Sequence, residues 1–203
     1  MEKTRICIFG GSITEGHLDL EQGGWVERLK RNLNAPNKTL RIFNLGVSAE
    51  STQEILKRIA KESKVRQANV IIFAGGTNDS RFLKGNENNT FTKLPKFEKN
   101  LQKIYKISKR LKAKLIFAGA SPCDDTKTQP VPWDTNHSYS NKQINLYNQT
   151  TEKFCKKNNL PFIEFNSEIT LEDISDDGLH PNPQGHEKIF RLVKQKLEES
   201  KII

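Results

Sequence analysis

Five short runs of β-branched and aromatic residues recur along the chain, at 5–9, 40–44, 69–74, 114–118 and 161–165. Most are continuously apolar rather than alternating, which is the pattern of strands covered on both faces. Between them, apolar residues return at helical spacing. Residues 25–34 carry Trp25, Val26, Leu29 and Leu33, residues 52–63 carry Ile55, Leu56 and Ile59, and residues 97–112 carry Phe97, Leu101, Ile104 and Leu111. Residues 141–158 carry Ile144, Leu146, Tyr147 and Phe154, and residues 184–200 carry Ile189, Val193 and Leu197 with lysines and acids opposite. This repeated alternation predicts an α/β fold with a five-stranded parallel sheet and helices on both faces, because parallel strands need such crossovers. No repeat, low-complexity tract or linker divides the chain, so residues 1–203 are expected to form a single domain. Two long segments, 80–96 and 121–140, break the rhythm and read as loops. Loops of that length in a compact domain are usually functional or mobile.

Composition narrows the class. Mean hydropathy is -0.68 and charged residues make up 28%, with no apolar run long enough to span a membrane. The N-terminal stretch from Met1 through Arg5 into Ile6–Phe9 lacks the length and flank of a signal peptide, and the expected location is cytoplasmic. The three cysteines, Cys7, Cys123 and Cys155, form no CxxC pair, so neither a zinc site nor a disulfide framework is indicated. The net charge of +9 raises the question of a nucleic-acid partner. The lysines, however, recur on helix faces, and no block of five like charges or aromatic-interleaved basic segment occurs. A solvated basic surface is the reading adopted, with no nucleic acid expected.

In an open α/β sheet, ligands bind beyond the carboxyl ends of the strands. Those ends carry Gly10-Gly11-Ser12-Ile13-Thr14, Leu45-Gly46-Val47-Ser48, Gly75-Gly76-Thr77-Asn78-Asp79 and Ser121-Pro122-Cys123-Asp124, and Asp177-Gly178-Leu179-His180 follows the last strand. The spacing of three between Asp177 and His180 lets a carboxylate orient an imidazole across one turn, and such a histidine is suited to act as a base. Ser12 is the matching candidate nucleophile.

In these blocks the chain resembles the SGNH hydrolases, the GDSL-like lipases and esterases. Gly10-Gly11-Ser12-Ile13-Thr14, Asn44-Leu45-Gly46, Gly76-Thr77-Asn78-Asp79 and Asp177-Gly178-Leu179-His180-Pro181-Asn182 match its blocks in order. The resemblance implies a three-layer, flavodoxin-like α/β/α sandwich. It also implies that Ser12, His180 and Asp177 form a triad, that the N–H groups of Ser12 and Gly46 and the Asn78 amide bind an oxyanion, and that no cofactor or metal is needed. One departure is Gly11, where the family usually has aspartate.

The remaining candidates have plainer roles open to them. His17 has no evident positioning partner and is read as loop, and His186 as an unremarkable start of the last helix. His137 is read as surface, with pocket lining as its alternative. Asp79 is expected to brace the turn of Asn78, with a substrate contact as its alternative, while Asp173 and Asp176 lack the spacing of Asp177. Asp124 and Asp125 are only a weak metal pair. The expected activity is hydrolysis of small or medium carboxylic esters. Lysophospholipase, thioesterase or carbohydrate acetylesterase action is the alternative within the family, and a non-catalytic binding module the alternative outside it.

Overall fold

A computed structural model describes residues 3–34 and 39–203; Met1 and Glu2, cited above for the N-terminal flank, lie outside them. Strand β1 (Thr4–Gly10) leads into a one-turn helix α1 (Ser12–Glu15), then α2 (Gly24–Asn34) and β2 (Leu40–Gly46). Next come α3 (Thr52–Val65), β3 (Val70–Ala74), another one-turn helix α4 (Thr77–Ser80), β4 (Phe82–Leu83) and β5 (Asn86–Thr90). The chain continues through α5 (Leu94–Leu111), β6 (Lys114–Ala118), β7 (His137–Ser138), α6 (Asn141–Asn158), β8 (Phe162–Ile163), a 3-10 turn (Leu171–Asp173) and α7 (Pro183–Glu199).

The expected parallel sheet forms in the order β2-β1-β3-β6-β8. Alternate side chains of each strand enter different cores, which is why the strands are apolar throughout. Ile6 and Ile8 join Val70, Ile72 and Ile116 beneath α2 and α7, where Trp25, Leu29, Ile189 and Val193 complete one apolar layer. Cys7 and Phe9 join Ile71, Phe73 and Phe117 against Ile55 and Ile59 of α3, Phe97 and Leu101 of α5, and Tyr147 of α6. The result is the three-layer α/β/α sandwich. All three cysteines are buried and unpaired, and burial pushes their thiols up to about 12. Among the described residues, no helix is long and apolar enough to cross a membrane.

The segments read as loops depart from that reading. They contribute β5, β4 and β7, in that order, to a second, antiparallel sheet. Phe82 pairs with Ser138 and Leu83 with His137, which ties 80–96 to 121–140. β5 has the sequence Asn-Glu-Asn-Asn-Thr and its neighbours are two residues long, so no apolar periodicity marks them.

The main sheet changes direction at β1: the chain passes to β2 on one side and returns to β3 on the other. The crevice beyond the ends of β1 and β3 is the topological switch point, the usual ligand site of such sheets.

His186 is more than a helix-start residue. It is fully buried; its Nδ1 accepts the Trp25 N–H at 3.3 Å, and its Nε2 lies 3.1 Å from the His17 carbonyl, to which it donates. It thus joins α7, α2 and the segment after α1. Burial is the largest influence on its ionisation and holds its pKa below 6.5. In the window between the lowered folded value and 6.5, the unfolded chain binds the extra proton and the native state does not, so stability falls as pH drops below about 6.5. Urea midpoints measured from pH 7.5 to 5 should therefore fall less steeply for His186→Gln than for the wild type, whatever the offset between them.

Candidate active site

Ser12 is the first residue of α1, set directly on the end of β1. The turn is so close that a Cβ on Gly10 would lie 2.0 Å from Thr14 Oγ1 and 2.5 Å from the Ala74 carbonyl, so glycine is required there. Ser12 Oγ lies 2.8 Å from His180 Nε2, although 168 residues separate the two in sequence. On the other side of the ring, His180 Nδ1 lies 2.6 Å from Asp177 Oδ2.

The spacing of three brings the Asp177 carboxylate onto the His180 ring. Asp177 Oδ1 accepts the N–H groups of Leu179 and His180 at 2.9 and 3.0 Å, leaving Oδ2 for the ring. Gly178 turns the chain with φ +79°. The Ile174–Pro181 bridge and the Ser175 N–H to His180 carbonyl bond close the loop beneath it. Partial burial opposes ionisation of Asp177, but the hydrogen bonds from the ring and the two N–H groups outweigh it and hold its carboxyl below the ordinary 3.8. The neighbouring acids are placed elsewhere: Asp176 is exposed, and Asp173 pairs with Lys188.

His180 is packed between two rings. His17 meets it edge-on with centroids 4.6 Å apart, and Trp133 lies tilted at 5.6 Å. Ser12, His17, Asn78, Trp133 and His180 all line a cavity of about 400 Å³, joined by Ser48, Ala49, Arg81, Tyr139 and Leu179. His137 is outside this group and is bonded to Asp134 on the outer wall. Among the described residues, no group of three or more His, Cys, Asp or Glu side chains could hold a metal ion. Asp124 instead accepts a bond from Thr126 in its own loop, and Asp125 one from Asn141 at the start of α6.

Asn78, on α4, has both ends of its amide fixed. Nδ2 donates to the Glu50 carbonyl at 2.9 Å, and Oδ1 accepts the Tyr139 hydroxyl at 3.0 Å. The second hydrogen of Nδ2 is left available. A Cβ on Gly11 would lie 2.8 Å from Nδ2, so the amide as placed relies on the glycine there.

Gly46 is placed differently from the expectation. Its N–H donates to Asn44 Oδ1 at 3.0 Å, and Gly46 does not line the cavity. A Cβ there would lie 2.3 Å from the Glu15 nitrogen, so the glycine lets α1 pack against the end of β2. The cavity wall nearby is Ala49, at φ +64°, and its N–H has no acceptor among the described residues. Nothing in an alanine signals a positive φ, so the sequence pointed to the glycine instead.

Asp79 faces away from the cavity and braces the turn from beneath. It is buried and accepts the Thr52 N–H at 3.0 Å and the Thr52 hydroxyl at 2.5 Å, which joins α4 to the N-terminus of α3. Burial pushes its carboxyl above the ordinary range, against the pull of those bonds.

The GDSL-like Lipase/Acylhydrolase family matches residues 8–188, and the chain belongs to that family. Similar solved structures include a lipase/acylhydrolase from Enterococcus faecalis, at 22% identity and TM-score 0.77 over 97% of this chain and 96% of that one. A GDSL-like lipase from Bacteroides thetaiotaomicron aligns at 22% identity and TM-score 0.71, over 97% and 89% of the two chains. A catalytic mutant of an acetylxylan esterase from Geobacillus stearothermophilus aligns at 15% identity and TM-score 0.74, over 97% and 95%. They share the SGNH-hydrolase fold with this chain. No curated protein matches it.

Replacing Asp79 by alanine would leave the buried Thr52 N–H and hydroxyl without their acceptor. Denaturant unfolding should show a loss of about 2–3 kcal/mol for Asp79→Ala. Asp79→Asn, which keeps an acceptor oxygen, should retain most of the stability.

Proposed function

We propose that the chain is a serine carboxylic-ester hydrolase acting on small or medium acyl substrates through an acyl-enzyme. The observation that carries this reading is the continuous relay from Ser12 Oγ to His180 Nε2, at 2.8 Å, and from His180 Nδ1 to Asp177, at 2.6 Å, on the wall of an open cavity.

In this scheme neutral His180 takes the Ser12 proton as Oγ attacks the ester carbonyl, and the carbonyl π electrons move onto oxygen. Asp177 keeps Nδ1 as the protonated nitrogen and stabilises the imidazolium. The imidazolium then gives its proton to the leaving alcohol as the C–O bond breaks. Water enters by the same route: His180 deprotonates it, it attacks the acyl-enzyme, and the proton returns to Ser12 as the acid departs. The oxyanion donors we assign are the Ser12 N–H, the free hydrogen of Asn78 Nδ2 and the Ala49 N–H, with Ala49 replacing Gly46. One such donor is worth about 3–4 kcal/mol of barrier. The rigid clamp on Asn78 supports this assignment, since a preorganised donor needs no rearrangement as charge develops. The cavity volume of about 400 Å³ suits a compact metabolite ester.

Hydrolysis of p-nitrophenyl acetate or butyrate tests the reading. Ser12→Ala and His180→Ala should each lower kcat by about 10⁴-fold or more, and Ser12→Ala should also abolish fluorophosphonate labelling. Full activity in Ser12→Ala would end the proposal.

Gly11→Ala tests the donor geometry separately. Its Cβ should displace Asn78 Nδ2 and lower kcat by about tenfold or more, with fluorophosphonate labelling of Ser12 retained. An unchanged kcat would remove Asn78 from the oxyanion site.

A further inference from the structure

Arg81 differs from three other partly buried arginines. Arg28 pairs with Asp19 and Glu187, Arg58 with Glu50 and Glu62, and Arg66 with Glu62. Arg81 has no such partner, yet it lines the same cavity as Ser12 and His180. No carboxylate among the described residues lies within the 4.0 Å of an ion pair. Asp134, the acid that acts on it at longer range, is bonded to His137 Nδ1 at 2.5 Å. The guanidinium lies over the Phe91 ring, 4.5 Å from its centroid. Its Nε is buried and has no hydrogen-bond partner.

These facts together describe a held fork of donors that faces the Tyr139 hydroxyl and carries no carboxylate. Stacking fixes the plane of a guanidinium without occupying its N–H groups, which remain available for a planar, two-oxygen anion. The residues lining the cavity include no Asp or Glu, so an incoming anion meets no repulsion from them. The protein's net charge of +9 also favours its approach. The hydroxyl of Tyr139 extends the polar wall from Arg81 towards Asn78, because Arg81 acts on Tyr139, which in turn donates to Asn78 Oδ1.

We propose that the substrate is an ester carrying a second, anionic oxygen group, a carboxylate or phosphate, which Arg81 binds while the ester carbonyl sits at Ser12. The inference rests on the hydrolase reading above. The anion can belong to the acyl part or to the alcohol part, and matched pairs of esters separate the two. For the acyl side, p-nitrophenyl hydrogen succinate is compared with p-nitrophenyl butyrate. For the alcohol side, p-acetoxybenzoate is compared with p-acetoxybenzamide.

The readout is the ratio of kcat/KM, anionic over neutral, within each pair. In one of the two pairs the wild-type ratio should exceed that of Arg81→Gln by about tenfold or more. Arg81→Lys, which keeps the charge but loses the fork, should retain part of the preference. Comparing ratios between enzymes cancels the intrinsic reactivity of the esters and any general loss of folded protein. Equal ratios in wild type and Arg81→Gln for both pairs, with hydrolysis intact, would overturn this proposal alone. If no ester is hydrolysed and Ser12 does not label with a fluorophosphonate, the hydrolase reading falls and this one with it.

Discussion

The site depends on how closely α1 is pressed onto the end of the sheet. A Cβ at Gly10 would lie 2.0 Å from Thr14 Oγ1, one at Gly46 would lie 2.3 Å from the Glu15 nitrogen, and one at Gly24 would lie 2.3 Å from the Gly16 Cα. Three glycines thus remove the side chains that would hold α1 away from β1, β2 and α2. With α1 seated at that depth, Ser12 comes within 2.8 Å of a histidine from the far end of the chain. A displacement of an ångström would cost that hydrogen bond while leaving the core intact. The parallel sheet supplies the platform, because its order reverses beside β1 and leaves the crevice open there.

Around this contact the polar groups fall into two sets. Ser12, His180 and Asn78 face the cavity. A second set holds them in place: Asp177 grips His180 by ring and backbone, Tyr139 and the Glu50 carbonyl clamp Asn78, and Asp79 fastens α4 to α3. His186 reaches the site at one remove, through the carbonyl of His17, whose ring packs on His180. Buried polar groups must find partners or destabilise the fold. Here the partners of one group position the next, so the interactions that satisfy the interior also fix the site.

What was legible in the sequence follows from the range of each interaction. The five parallel strands and their helices showed clearly because burial on two faces demands apolar runs. Asp177 and His180 showed because their contact is local and spans one turn. Ser12 and Asn78 were found by reading strand ends, which a parallel topology gathers at one edge. Ala49 was hidden because the part proposed for it is played by a backbone N–H at positive φ, which its side chain does not advertise. The strands β4 and β7 were hidden because pairing across 54 to 56 residues leaves no local period in so few residues, and β5 because its sequence is polar throughout. His17, Arg81 and Tyr139 reach the cavity through those long-range pairings or through packing on His180, so their spacing carried no signal.

Gly11 shows how a departure from a family pattern can be absorbed. The absent side chain matters less as a lost hydrogen bond than as space. Asn78 Nδ2 lies where a Cβ at position 11 would press on it, 2.8 Å away, and the amide is secured from its other side by Glu50 and Tyr139. Tyr139 belongs to the wall formed when β7 pairs with β4, and Arg81 immediately precedes β4. The same wall therefore anchors the asparagine and presents the unpaired guanidinium. A buried, unpartnered donor is destabilising in the free protein, and the fold tolerates one at Arg81 Nε although Arg28, Arg58 and Arg66 have carboxylate partners. That asymmetry is understandable if the missing partner arrives with the substrate, so that the group which stabilises Arg81 also aligns the ester with Ser12.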